Sequence, residues 1–463
     1  MGVLEQVLDR VDEQMPQALE RLFELLRIES ISTDKAYKAA CLKAANWLVE
    51  DLRSIGFDTQ RHDTPGHPMV VGHQAGNNNG PHLLFYGHYD VQPVDPLELW
   101  NRPPFEPAIE DTPNGKVIRA RGAADDKGQL MTFVEACRVW KQVSGSLPTQ
   151  VSIFFEGEEE SGSPSLIPFM EQNKEMLKAD LALVCDTGMW DSQTPTISTM
   201  LRGMVGEQVT ITGPSLDLHS GMYGGPAINP IRVLTRILSE LHDDQGRITL
   251  PGFYDGVAEL SDAQREQWDS LKHDDDGFLK GVGLSTPAGE SGYSVLEQIW
   301  ARPSCDINGI NGGYTGEGFK TVLPSIATAK ISFRLVGDQD PDLIRQAFYD
   351  HVNDRLPPDC SAEFASKDGS KATVMPVDAP AFRQAQRALS DEWQKEAIYA
   401  GCGGSIPVVG HIKEILHMDS LLVGFMLDDD AIHSPNEKYS LNSYHKGIRS
   451  WVRILDSLSR GAS

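Results

Sequence analysis

The stretch VSIFFEGEEESGS, residues 151–163, places four carboxylates within five positions directly after a short apolar run. The run VSIFF has the length and the β-branched and aromatic residues of a buried strand. The acidic residues after it are Glu156, Glu158, Glu159 and Glu160. Four ionised carboxylates confined to one strand end would repel one another strongly. The folded protein therefore has to expose these carboxylates to solvent or place a counter-charge beside them.

The segments around this stretch alternate between strand and helix patterns. Apolar runs predict further buried strands at HLLFYG (82–87), LALVC (181–185) and SLLVGFML (420–427). Helical spacing of apolar residues predicts helices over residues 3–28, 36–55, 125–143, 165–177 and 443–460. This order is typical of an α/β fold with a mainly parallel sheet flanked by helices.

The middle of the chain has a different pattern. Strands with alternating polar and apolar residues are predicted at 207–213, 328–336 and 361–366, and helices at 229–242 and 342–356. These patterns favour an inserted two-layer α+β domain with one open sheet face. The polar, glycine-rich residues 243–305 are predicted to form long connections within it. We therefore expect a first domain made of residues 1–201 and 374–463, and an inserted domain over 202–373.

The composition of the 463-residue chain excludes several classes of function. A formal net charge of −25 disfavours binding to nucleic acid or to an anionic membrane. No stretch is apolar for long enough to span a bilayer, and the start MGVLEQVLDRVDEQ does not have the pattern of a secretory signal. The six cysteines are scattered without a Cys-x-x-Cys pair, which indicates free thiols. We expect a cytoplasmic protein.

Carboxylates and imidazoles follow several of the predicted strands. His88 and Asp90 come after HLLFYG, Asp186 comes after LALVC, and His433 lies six residues beyond Leu427. Asp125 lies where a predicted helix begins. In open α/β sheets, ligands bind outside the carboxyl ends of the strands, so these side chains are predicted to converge.

Converging carboxylates need a counter-charge, and no comparable run of Lys or Arg lies at these strand ends. Carboxylate and imidazole ligands suit a divalent cation, with zinc favoured and manganese as the alternative. Taken singly, a Glu run is usually a solvated helix start, and Asp125 could simply cap its helix. Capping does not explain why such residues recur at successive strand ends.

Eight segments together resemble the cytosolic dinuclear-metal exopeptidases. This family includes carnosine-type dipeptidases, glutamate carboxypeptidases, aminoacylases and succinyl-diaminopimelate desuccinylases. The resemblance runs in order over nearly the whole chain, and the middle segment is most similar to the dipeptidase branch. The segments are YGHYDVQP, RGAADDKG, EGEEESGS, VCDTG, DLHSGMYGG, TVLPSIATAKISFRLV, GGSIP and HSPNEK.

The resemblance implies two divalent ions, one bound by His88 and Asp186 and the other by Glu160 and His433. Asp125 would bridge the two ions.

The resemblance also implies catalytic roles for three residues. Glu159 would be the general base, and Asp90 would orient His88. His219 in the inserted domain would stabilise the reacting carbonyl oxygen, reaching in from the partner subunit of a homodimer. The inserted domain would then serve for dimerisation and as a lid.

Four further residues resemble substrate-contacting positions of the family. Arg334 and Thr321 would hold the substrate's terminal carboxylate, and Gly404 and Ser405 would also contact substrate. From pattern alone, Arg334 could instead be an exposed cross-strand partner.

The chain departs from the dipeptidase pattern at two places. Gly401 and Cys402 precede GGSIP where those relatives typically have Arg-Glu, and Ala379 and Ala381 stand near the return to the first domain, where those relatives carry histidines. These departures bear on how the substrate's amino end is held, and carnosine specificity is not expected to transfer intact.

The predicted function is metal-dependent hydrolysis of dipeptides or short peptides that have a free C-terminal carboxylate. One alternative is an N-acyl-amino-acid amidohydrolase using the same metals. Another alternative is a non-catalytic metal-binding scaffold. The presence of both a candidate base and candidate metal ligands disfavours it.

Overall fold

The computed structural model of the protein describes residues 2–77, 80–404 and 406–460. The chain divides into two compact units. The first comprises Met1–Thr199, Met375–Tyr399 and His411–Ser463, and the second comprises Met200–Val374 and Ala400–Gly410. Residues 400–410, which the sequence analysis assigned to the first domain, thus group with the second unit. The roles expected of the two domains stay predictions.

Six strands of a nine-stranded mixed sheet lie wholly in the first unit, while Thr196–Leu201 and Ile398–Cys402 lie partly and Thr373–Val374 wholly in the second. In spatial order the nine strands are Asp58–His62, Met69–Gln74, Val151–Glu156, Leu83–His88, Leu181–Val184, Ser420–Leu422, Thr196–Leu201 and Thr373–Val374, with Ile398–Cys402 also paired to Thr196–Leu201.

The prediction of a mainly parallel sheet was wrong. The central pairings, from Val151–Glu156 through Leu83–His88 and Leu181–Val184 to Ser420–Leu422, are parallel. The pairings of Met69–Gln74 with both of its neighbours, and those of Thr196–Leu201 with Ser420–Leu422 and Thr373–Val374, are antiparallel. The apolar runs identified the central strands alone. The outer strands Asp58–His62 and Met69–Gln74 are joined by a short loop, which permits only antiparallel pairing.

The strand predicted over 420–427 ends at Leu422. Gly424 approaches the Thr187 carbonyl so closely that an added Cβ would lie 1.9 Å from its oxygen. Beyond it, the Phe425 N–H donates to Gln129 Oε1 at 2.6 Å instead of to a neighbouring strand. The apolar run therefore continues as buried, irregular chain.

Aromatic stacking joins the central strands to the buried helix Lys127–Ser144. The rings of Phe85 and Phe133 are stacked with centroids 3.9 Å apart, and Trp451 meets both edge-on. The helices that lie wholly or partly in this unit are Val3–Leu26, Lys38–Ile55, Lys127–Ser144, Leu166–Gln172, Lys174–Leu177, Pro380–Trp393, Pro407–Leu416 and Leu441–Ser459. Short 3-10 helices cover Lys35–Tyr37, Leu97–Leu99 and Glu159–Ser161, and a small sheet pairs Lys438–Ser440, Gly115–Arg119 and Ala108–Thr112.

The second unit contains a four-stranded antiparallel sheet. Along the strand Gly203–Thr212, buried and half-buried residues alternate, as expected for a sheet with one face in the core. The sheet order is Ser304–Gly312, Ile326–Leu335, Gly203–Thr212 and Ser361–Ser370, and a separate pair joins Leu218–His219 to Val322–Leu323. The helices are Ser220–Tyr223, Pro230–Ser239, Asp262–Ser270, Asp275–Gly281, Val295–Trp300 and Pro341–Asn353.

Residues 243–305 are not merely long connections, because this segment contains the helices Asp262–Ser270, Asp275–Gly281 and Val295–Trp300. The first and last of these begin with capping boxes, in which Ser261 pairs with Gln264 and Ser294 with Glu297. Such short polar helices have little apolar periodicity, but the Ser-x-x-Gln/Glu spacing was a readable signal.

No helix in the described part of the chain combines the length and apolarity needed to cross a membrane.

Candidate metal centre

The candidate site lies at the carboxyl ends of the central parallel strands. His88 is the last residue of Leu83–His88, and Asp186 follows Leu181–Val184 by two positions. The 3-10 helix Glu159–Ser161 follows the strand Val151–Glu156. Since these strands are neighbours in the sheet, their carboxyl ends bring the three segments to one edge.

Two groups of donor atoms converge there, and both contain Asp125. His88, Asp125 and Asp186 form the first group, and Asp125, Glu160 and His433 form the second. Within each group the donor atoms lie within 4.8 Å of one another. The structure thus brings together all five residues predicted as metal ligands, while their role as ligands stays a prediction.

Asp125 presents one carboxylate oxygen to each group. Its Oδ1 lies 3.1 Å from His88 Nε2, and its Oδ2 lies 2.9 Å from His433 Nε2. The same His433 nitrogen lies 3.3 Å from Glu160 Oε2. A carboxylate with one oxygen in each group has the arrangement that a bridging ligand needs.

The acidic residues of the site are hard to ionise together. Burial, followed by the charge of Asp125, raises the pKa of Glu160 to about 8 and that of Asp186 to about 7. For Asp125 the hydrogen bonds with His433 and His88 outweigh burial and hold its pKa well below the usual value. Its hydrogen bond in turn raises the pKa of His433 to about 9. Without a cation the site therefore retains protons.

These donors fit divalent cations. Carboxylate oxygens and imidazole nitrogens are the ligands that zinc and manganese accept. The raised pKa values of Glu160 and Asp186 indicate excess negative potential, which a divalent ion would offset.

Asp90 lies next to His88, while its role in orienting the ring stays a prediction. His88 Nδ1 lies 3.4 Å from Asp90 Oδ1 and 3.2 Å from the Asp90 carbonyl oxygen. Asp90 Oδ2 accepts hydrogen bonds from Ser32 Oγ at 2.6 Å and from the Glu160 N–H at 3.0 Å. One carboxylate thus connects the His88 ring to the backbone that carries Glu160.

Glu159 is half-buried in the same 3-10 helix as Glu160. Burial is the largest cause of its raised pKa, and the charges of His88, Asp90, Asp125 and His433 also act on it. The charges that act on its carboxylate thus come from residues of both donor groups.

The other two glutamates of the opening stretch are structural. Glu158 is buried and accepts hydrogen bonds from the N–H groups of His67 at 2.8 Å and Ser165 at 3.0 Å, so it does not face solvent. Glu156 is also buried, and it accepts a hydrogen bond from Tyr86 Oη at 2.7 Å. Burial raises the pKa of Glu156 to about 8.

Sequence reasoning missed Glu437, which fixes the loop that carries Asp125. This buried carboxylate accepts hydrogen bonds from the N–H groups of Gly122, Ala124 and Asp125 at 2.9–3.1 Å. It also forms a buried ion pair with Arg121 at 2.8 Å. The two residues are more than three hundred positions apart in sequence. The one available signal was that Arg121 and Glu437 both lie in segments that resemble the family, RGAADDKG and HSPNEK.

Two of the predicted functional residues of the second unit are neighbours. His219 pairs with Val322 across the short two-stranded sheet, and the Ser220 N–H donates to the Thr321 carbonyl oxygen at 3.0 Å. The His219 side chain is exposed, and its Nδ1 accepts a hydrogen bond from the Gly221 N–H at 3.0 Å.

Arg334 and Gly404 also lie in the second unit. Arg334 is half-buried on the strand Ile326–Leu335, and the Gly404 carbonyl oxygen accepts from the Arg202 N–H at 3.1 Å. Ser405, the remaining predicted substrate contact, lies outside the described residues.

Affinity for Zn²⁺ should increase with pH between about 6 and 8. In the metal-free protein Asp186 and Glu160 are largely protonated below their pKa values of about 7 and about 8, and a cation has to displace those protons. Competition with a chelator across this range measures the effect, and Asp186→Asn should flatten the profile. An affinity independent of pH would contradict the electrostatics described above.

Glu437→Ala should destabilise the protein and weaken metal binding. Leaving Arg121 buried without its carboxylate is expected to lower the free energy of unfolding by about 3–5 kcal/mol. The loss of three N–H contacts beside Asp125 should reduce metal affinity about 10- to 100-fold. Denaturant unfolding and zinc titration measure both, with the exposed Glu175→Ala as control. Unchanged metal affinity would show that Glu437 does not position Asp125.

Comparison with known proteins places the chain in a family. It is 29% identical over 467 residues to a Cys-Gly metallodipeptidase of Candida albicans, with 96% of each chain covered. It is 25% identical to the human Beta-Ala-His dipeptidase, covering 98% of this chain and 92% of the relative. The solved M20 family metallo-carboxypeptidase Sso-CP2 from Sulfolobus solfataricus matches with a TM-score of 0.80 and 30% identity, covering 96% of this chain and 99% of that one. Residues 84–457 match the model of peptidase family M20/M25/M40, so the predicted resemblance is confirmed and the chain belongs to this family.

Proposed function

We propose that this protein hydrolyses the peptide bond of dipeptides and short peptides that have a free C-terminal carboxylate, and that it does so with two divalent metal ions. The observation that carries the proposal is the sharing of Asp125 between two donor groups, with Glu159 next to Glu160 in the same 3-10 helix. Family membership and the metallodipeptidases among the relatives support the same reaction.

In this proposal His88 and Asp186 would hold one ion, Glu160 and His433 would hold the other, and Asp125 would be shared by both. Zinc is the first candidate and manganese the second, since both accept these ligands. When bound, two such ions lower the pKa of a water molecule and polarise the substrate carbonyl.

The protein's own groups supply the proton transfers and the charge stabilisation. Glu159 takes the proton of the attacking water and delivers it to the leaving amine. Burial raises the pKa of Glu159 above its usual value, which favours uptake of a proton from water. Asp90 keeps His88 in one ring orientation. His219 donates a hydrogen bond to the oxygen on which negative charge develops.

The substrate's terminal carboxylate is assigned to Arg334 and Thr321, with Gly404 and Ser405 as further contacts. The amino end is held differently from that in carnosine-type relatives. At Gly401 an added Cβ would lie 2.3 Å from Trp300 Cβ, which leaves no room for the arginine typical of those relatives. Cys402, Ala379 and Ala381 likewise lack the charge or the imidazole of the residues they replace. Small dipeptides such as Cys-Gly are therefore better candidates than carnosine.

The N-acyl-amino-acid amidohydrolase alternative is not favoured, because the Candida albicans and human relatives reported above are dipeptidases. A scaffold function is disfavoured because Glu159, the proposed base, adjoins Glu160 of the second donor group.

We assign dimerisation and a lid function to the inserted domain over residues 202–373, and catalysis to residues 1–201 and 374–463. Exposed apolar side chains on the second unit support a homodimer, among them Ile310, Phe319 and Met222. The net charge of −25 supports a protein that binds neither nucleic acid nor membrane, and we place it in the cytoplasm.

Glu159→Gln should lower kcat for dipeptides about 10²- to 10⁴-fold, the usual contribution of a general base. Metal content, measured by mass spectrometry, should not change, because Glu159 is not among the donor groups. The assay measures amino-acid release from Cys-Gly, Ala-Gly and β-Ala-His beside N-acetyl and N-succinyl amino acids. Glu175→Gln is the matched control on an exposed helix. Release from N-acyl substrates alone would favour the amidohydrolase reading, and full activity of Glu159→Gln would exclude this base.

His219→Ala should lower kcat about 10²- to 10³-fold as a lost oxyanion donor. If His219 acts on the partner's site, mixing and refolding this variant with Glu159→Gln should restore about a quarter of the wild-type activity, since half of the dimers regain one intact site. No restoration, or full activity in a wild-type monomer, would contradict action across the dimer.

A further inference from the structure

The second unit carries a second arginine beside Arg334. Arg202 directly precedes the strand Gly203–Thr212, whose Met204 pairs with Arg334. Side chains along a strand alternate between faces, so Arg334 and Met204 share one face, and Arg202, two positions before Met204, continues it. The opposite face holds Val205 and Phe333 in the core. The Arg334 side chain therefore lies on the face opposite the core, and Arg202 enters the strand at a position that would continue this face.

Arg202 is fixed in place by the GGSIP segment. Its Nε donates to the Gly403 carbonyl oxygen at 2.9 Å, and its backbone N–H donates to the Gly404 carbonyl oxygen at 3.1 Å. An added Cβ at Gly403 would lie 3.6 Å from Arg202 Nη2, so the guanidinium lies directly against this glycine. The side chain thus connects the sheet to residues that resemble substrate contacts.

The two arginines raise each other's electrostatic energy. Burial and then the charge of Arg334 lower the pKa of Arg202 to about 10, and the opposing influence of Asp306 and Cys402 does not offset them. Two like charges close enough to act on each other form a site of positive potential. A carboxylate matches it, because guanidinium groups bind carboxylates through paired, charge-assisted hydrogen bonds.

We infer that Arg202 and Arg334 together bind the C-terminal carboxylate of the substrate, with Arg202 also positioning Gly403 and Gly404. The inference rests on the proposed function for its ligand, and it adds to that function a residue which determines specificity for a free carboxylate.

The test measures carboxylate recognition without turnover. The probes are an Ala-Gly analogue whose peptide bond is reduced to –CH2–NH–, which cannot be hydrolysed, and the same molecule with a C-terminal carboxamide. Calorimetry gives the affinity of the full-length, metal-loaded protein for each. The ratio of the two affinities reports on the carboxylate alone.

Arg202→Met should reduce this ratio about 10- to 100-fold, as expected for the loss of a charge-assisted hydrogen bond. Affinity for the carboxamide should stay within about threefold of wild type, since no charge recognises it. Arg202→Lys keeps the charge and should recover part of the ratio. Arg232→Met, on the exposed face of the helix Pro230–Ser239, is the matched control and should change neither affinity.

An unchanged ratio in Arg202→Met overturns the inference, and so does an equal loss of affinity for both probes, which would make Arg202 purely structural. Wild-type turnover of Ala-Gly, measured in parallel, tests the proposed function separately. A protein that shows the Arg202-dependent ratio but cleaves no dipeptide would keep the carboxylate site and lose the dipeptidase assignment.

Discussion

The architecture of the site depends on the sharing of one buried carboxylate, that of Asp125, between two groups of ligating atoms. An aspartate with imidazoles at 3.1 Å and 2.9 Å on its two oxygens can stay ionised in a buried position, whereas Glu160 and Asp186 beside it cannot easily do so. Negative charge is thus concentrated on one residue while its neighbours retain protons. Divalent cations would reverse this distribution, because they stabilise every carboxylate at once.

Holding Asp125 in that position requires interactions outside the donor groups. Glu437 accepts three N–H groups from the loop that carries Asp125 and is itself neutralised by Arg121. Asp90 connects the His88 ring to the Glu160 backbone in a similar way. A buried ion pair adds little net stability, but removing one member leaves an uncompensated charge. The loop is therefore specified by groups that take no part in the chemistry themselves.

The four glutamates of residues 156–160 show what can be predicted from sequence. The apolar run before them and the acidic residues after neighbouring strands predicted their place at the carboxyl edge of the sheet, and the structure brings the five predicted ligands together there. Residue type alone did not predict which of these glutamates face the metal centre and which are structural. This difference depends on which carboxylates meet backbone N–H groups, as Glu158 does with His67 and Ser165. Strand direction at the sheet edges and the link between Arg121 and Glu437 were equally hidden, because both arise from contacts between distant segments.

The charges of the two units suit an enzyme that acts on chain ends. The first unit concentrates carboxylates, which would repel the terminal carboxylate of a peptide unless cations were present. The second unit holds two arginines, of which Arg334 is fixed by pairing with Met204 and Arg202 is close enough for the charge of Arg334 to lower its pKa. Leaving a desolvated cationic site without an anionic partner has a high free-energy cost. Such a site therefore binds ligands without a carboxylate poorly. An internal peptide bond offers no carboxylate to such a site, and selection for dipeptides would then follow from electrostatics as well as from size.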